Sequence, residues 1–166
     1  KMIDHEMQDD PYAKEAFSAL LRKVIEQAES LFDHPLKQFL LFQEFEEQVA
    51  ERRLDAIPAV FEGHRHAQAY YGVFLKTLAA IFNHKQTDEE MQRWIDLAFE
   101  IDRIVDKAVR ENSLSRPDME KTARKELLPL LFSVGQKVGF GVDKAQELIE
   151  QIIQIMRAGP ADTLHD

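Results

Sequence analysis

Apolar residues recur at spacings of three and four along nearly the whole chain, and no stretch sustains an alternation of apolar and polar residues. A 3.6-residue period lines such side chains along one stripe of a helix, whereas a half-buried strand needs a period of two. The pattern predicts an all-α fold, a single compact bundle-like domain of about six helices over residues 11–159. A chain of 166 residues buries roughly 70% of its unfolded surface on folding and needs no covalent staple. Eleven Phe against six Gly and six Pro make it too apolar and too poor in turn formers for a disordered protein.

The punctuation divides the pattern. Asp10-Pro11 reads as an N-cap with Pro at the first helical position, opening a helix to about Asp33 with Phe17, Leu20, Leu21, Val24, Ile25 and Ala28 on its apolar stripe. His34-Pro35 breaks it, and Leu36, Phe39, Leu40, Phe42, Phe45 and Val49 mark a second helix that stops before Ile57-Pro58. A third is expected from Arg65 to Asn83, with Gly72 inside it where close backbone packing offsets the cost of a glycine. Thr87 with Glu90 forms a capping box for a fourth helix through Val109. Ser115 or Arg116 caps a fifth, with Pro117 in its first turn and Pro129 expected to kink it. Gly135 to Gly141 reads as a loop, and a sixth helix runs from Asp143 to Arg157 before Gly159-Pro160. Residues 1–10 are expected to be a disordered or appended start, and 160–166 a tail.

Composition excludes several classes. With no Cys there is no disulfide scaffold and no thiolate metal site, which fits a reducing compartment and a cytoplasmic location. The acidic start from Met2 to Asp10 does not resemble a secretory signal, and Lys76 interrupts the apolar run from Val73 to Phe82, so no segment reaches the ~20 residues that span a bilayer. A net charge of −9 argues against a free-standing nucleic-acid binder. The charge is uneven, however: residues 103–144 hold nine basic and six acidic side chains, while 1–102 hold 11 and 20.

Catalytic and metal signatures are missing from the pattern. Gly139-Phe140-Gly141 lacks the third glycine, the preceding strand and the Lys-Ser/Thr of a phosphate loop, and reads as a turn. His64 and His66, near Glu62, sit two residues apart and point to different sides of a loop or first turn, so no metal site is assigned. Glu44, Glu46, Glu47 and Glu51 read as a solvated helix face, and no serine carries a nucleophile motif.

The informative surface is basic. Lys121, Arg124 and Lys125 share a stripe on the fifth helix, Arg103, Lys107 and Arg110 follow similar spacing on the fourth, and Arg116 lies between. Four or five such cations meeting phosphates give a slope of log affinity against log salt of about −4, enough to contribute to DNA holding within a larger assembly. The sixth helix, with Leu148, Ile149, Ile152, Ile153, Ile155 and Met156, is apolar around more than one face and must be central or an interface. Of the adjacent Tyr70 and Tyr71, about 100° apart on a helix, one is expected inside and the other near the surface.

The segments ERRLDAIPAVF from Glu51, HAQAYYGVF from His66, VDKAVRENSL from Val105, RKELLPLLF from Arg124 and GVDKAQELIEQIIQIMRAG from Gly141, in this order, resemble the C-terminal region of the restriction (motor) subunit of type I restriction-modification enzymes. The resemblance implies the last domain of a subunit that pumps DNA with ATP and cleaves it as an endonuclease, in complex with methyltransferase and specificity subunits. ATP and Mg chemistry would belong to upstream domains, leaving this segment non-catalytic and without a cofactor. Lys107, Arg110, Arg116, Lys121, Arg124 and Lys125 would lie near double-stranded DNA, and Tyr71, Ile153 and Ile155 would face protein partners. The alternative reading is a self-contained helical regulator or ligand-binding protein that homodimerises through the sixth helix.

Overall fold

The computed structural model describes residues 7–160, which form seven α-helices and one 3-10 turn with no strand among them. The helices are α1 (Pro11–Ser30), α2 (Pro35–Glu51), α3 (Arg65–Thr77), α4 (Ala79–Phe82), α5 (Asp88–Glu111), α6 (Arg116–Val138) and α7 (Val142–Ala158), with the 3-10 turn at Ala59–Phe61. The all-α bundle expected from the periodicity is the fold observed.

Helix starts follow the side-chain chemistry. Asp10 Oδ1 accepts from the Ala13 N–H at 3.1 Å to cap α1. Thr87 Oγ1 accepts from the Glu90 N–H and Glu90 Oε1 from the Thr87 N–H, both at 3.1 Å, closing the capping box of α5. Ser115 caps α6 through the Asp118 N–H. Residues 7–10 correct the expected disordered start: Met7 is buried beside Phe17 and Val49, and Asp9 and Asp10 both meet Arg52. The remainder of that start, 1–6, and the tail at 161–166 lie outside the described residues.

Two helix boundaries differ from expectation. The helix expected from Arg65 to Asn83 is broken at Leu78, whose φ of −109° and ψ of 36° leave the α region between α3 and α4. Leu78 is buried, and the break carries the Phe82 ring to 6.2 Å from Tyr71 and 5.2 Å from Trp94. Aromatic packing thus overrides a sequence that contains no breaker there. The expected loop from Gly135 is instead the last turn of α6. Only Gly139 turns the chain, at φ 99°, and the N–H groups of Gly139 and Phe140 return to the Gly135 carbonyl at 2.8 and 3.0 Å. Pro129 lies within the unbroken run of α6 on its exposed side.

Helices α3, α5, α6 and α7 enclose the main core, where Tyr70, Phe74, Ile101, Leu127, Leu148, Ile152 and Ile153 are fully buried. Helix α1 runs beside α3 in the same direction, as the pairs Asp9–His66, Tyr12–Gly72 and Glu15–Lys76 show. It then continues to Ser30, roughly 20 Å beyond Glu15 at 1.5 Å per residue, where α2 packs against it around Phe17, Val24, Phe45 and Val49. This hairpin is clasped to the body at its base. Arg52, held at φ 51°, sets its guanidinium 3.1 Å from Asp9 and 3.9 Å from Asp10, while Gln68 on α3 donates to the Arg52 carbonyl at 2.9 Å.

Candidate interaction surfaces

The seven cations of the α5–α6 segment do not form one free stripe. Arg124 turns toward α7 and makes a two-pronged contact with Glu150, which raises the pKa of the guanidinium and lowers that of the carboxylate. A parallel bidentate pair joins Arg157 to Glu120 at 2.6 and 2.8 Å and lowers the Glu120 pKa. Lys107 reaches across to Glu126 at 4.0 Å, and Arg110 pairs with Asp106 at 3.1 Å on its own helix. Arg116 is exposed at the first position of α6 and also has an interaction partner.

Lys121 and Lys125, together with Arg103 on α5, are exposed and without an ion-pair partner among the described residues. Spacing separates them from Arg124. A residue 300° along the helix from Lys121 faces α7, whereas Lys121 and Lys125 point outward. Leu128 and Phe132 continue their line at intervals of three and four, and both are exposed. The outer face of α6 is therefore a mixed ridge of two free ammonium groups and two large apolar side chains. Beside it a depression of about 280 Å³ is lined by Arg124, Leu128, Gln146, Ile149 and Glu150. Leu128 and Phe132 are not among the residues expected at a surface site, although their register with Lys121 and Lys125 is visible in the sequence.

The residues expected at a protein interface are buried instead. Tyr71 packs against Phe61 with ring centroids 5.0 Å apart, and against Phe74 and Phe82, so neither member of the Tyr70–Tyr71 pair reaches the surface. Ile153 and Ile155 are fully enclosed because α7 packs on both α3 and α6, which occupies two of its sides. Helix α7 is central, and its Leu148, Ile149, Ile152, Ile153, Ile155 and Met156 are buried within the chain.

No group of three His, Asp or Glu side chains suited to a metal ion occurs among the described residues. His64 packs edge-on against Phe99, and His66 Nε2 lies 4.0 Å from Asp9 Oδ2. Asp102 near them has a raised pKa, chiefly through burial. No helix of the described residues is long and apolar enough to cross a membrane. No protein-family model, no characterised protein and no solved structure matches this chain.

Proposed function

We propose that this chain is a non-catalytic assembly domain: the C-terminal domain of the ATP-dependent, DNA-translocating and cleaving subunit of a type I restriction enzyme. It would dock that subunit onto the methyltransferase and specificity subunits and touch DNA only within the complex. The observation that carries this reading is the ridge on α6, where Lys121 and Lys125 stand beside exposed Leu128 and Phe132. Apolar anchors flanked by cations suit a protein surface that borders a phosphate backbone. The segments that resemble the restriction subunit lie largely on α3, α5, α6 and α7, the helices that hold this ridge in place. A cytoplasmic location follows from the same reading.

Pairing within the chain reduces the expected electrostatic contribution. With Arg103, Lys121 and Lys125 as the free cations, the salt slope falls to roughly −3 from about −4. The test uses the intact subunit. Reversal of Lys121 and Lys125 to Glu is expected to weaken DNA binding and to flatten the salt slope by about two. Leu128→Glu with Phe132→Glu is expected to abolish co-purification with the methyltransferase subunits. Unchanged slope and unchanged capture together would remove the ridge from both roles.

A further inference from the structure

Helix α2 carries two apolar faces, and only one of them is covered. Leu41, Phe45 and Val49 follow a four-residue spacing and pack against α1. Leu36, Phe39 and Leu40 occupy the opposite side of the same helix, with Phe32 in the turn just before it. They are 70%, 63%, 52% and 74% exposed respectively. At about 200 Å² for a whole side chain, these four leave roughly 500 Å² of mainly apolar surface open to water. That is at the upper end of what a monomeric protein tolerates as one patch.

We infer that this face of α2 is a self-association surface, on which a second copy of the chain lays its own α2 antiparallel about a two-fold axis beside Leu40. Three observations select a second copy. The first is area: self-pairing covers about 1,000 Å² of apolar surface before its polar rim is counted, which meets the lower bound for a specific interface. The second is charge, which is bipolar along the helix. The first turns of α2 hold Lys37 and no acid, while Glu44, Glu46, Glu47 and Glu51 crowd its last turns. Lys37 and Glu44 are seven residues apart, on the same edge of the exposed face. A two-fold axis between positions 40 and 41 therefore sets Lys37 against Glu44 of the second copy, twice.

The third is the helix start. His34 makes no side-chain cap and the first turn of α2 holds no acid, so the positive end of the helix is not capped by a side chain. The antiparallel arrangement brings Glu47 of the second copy to that end. A parallel pairing would instead stack the acidic turns on one another. Lys37, Glu44, Glu46 and Glu47 are all exposed, and none has an ion-pair partner among the described residues. Two hairpins joined this way form a four-helix bundle remote from α6, so the ridge there remains open and the two proposals stand or fall separately.

Sedimentation equilibrium tests the pairing. The apparent mass should rise to twice the chain mass, with a midpoint in the micromolar range. Phe39→Glu, which alters an exposed side chain and should leave the helical circular dichroism intact, should weaken association at least about tenfold. Lys37→Glu and Glu44→Lys should each weaken it, and the two together should restore it. Because the chain has no cysteine, Leu40→Cys should give a disulfide-linked dimer under mild oxidation, while Lys121→Cys should not. A monomer throughout, a dimer indifferent to Phe39→Glu and the charge swap, or equal cross-linking at positions 40 and 121 would each overturn the proposal.

Discussion

A side chain at position 72 has no room: a Cβ on Gly72 would stand 2.6 Å from the Tyr12 Cβ and 3.2 Å from its Cγ. The obstacle is the root of the tyrosine rather than its flexible end, so relief requires α1 to move off α3. Gly72→Ala gains about 1 kcal/mol of helix propensity and incurs overpacking of about 1–3 kcal/mol. The expected net effect is a loss of roughly 1 kcal/mol, read as a lower urea midpoint at unchanged slope. That a glycine inside an apolar helix marks a close crossing was legible in the sequence. Which element crosses there was not, because Tyr12 is 60 positions away. The same limit hid the Arg124–Glu150 pair: spacing along α6 places Arg124 near Lys121 and Lys125, and only the packing of α7 shows which of the three is neutralised.

Element boundaries were legible where a side chain closes them and illegible where packing does. Asp10, Thr87 and Ser115 cap their helices as their residue types suggest, because the cap is a local hydrogen bond. The break at Leu78 has no local signal; it depends on Phe82 finding Tyr71 and Trp94. The stretch from Gly135 to Gly141 misled for a different reason, since its glycines serve different ends. Gly139 adopts φ 99°, and a Cβ there would meet nothing within 4 Å, whereas a Cβ at Gly135 would lie 2.5 Å from the Phe140 carbonyl oxygen. Gly139→Ala should therefore cost only the strain of a left-handed residue, about 1 kcal/mol. Gly135→Ala should cost about 2–3 kcal/mol, since backbone has to give way. Thermal unfolding of the two variants side by side checks the order; equal losses would mean that both positions act as simple turn residues.

At the scale of the whole molecule, two hydrophobic clusters meet at a polar clasp, and the clasp makes stability depend on pH. Asp10 is pushed from 3.8 up to about 6, chiefly by burial, against the opposing pull of the Ala13 N–H and Arg52. Between those values the folded chain holds a proton that the unfolded chain has released. Folding is therefore favoured by acid, and stability declines as pH rises from about 4 to 6 and then levels off. Two pKa units correspond to about 3 kcal/mol at most. Burial raises Asp102 in the same direction. Glu120 and Glu150, lowered by Arg157 and Arg124, oppose the trend only at lower pH, since their contribution is lost as pH falls through their folded values. The unfolding free energy should thus rise as pH is brought from 7 to about 5 and turn over below about 4. Relief of repulsion within a chain of net charge −9 would also favour the folded state in acid, and Asp10→Asn separates the two causes. Asparagine still accepts from the Ala13 N–H but does not titrate. Urea unfolding of this variant from pH 3.5 to 7 should show a much flatter profile, and a rise as steep as that of the unaltered chain would assign the effect to overall charge instead of the clasp.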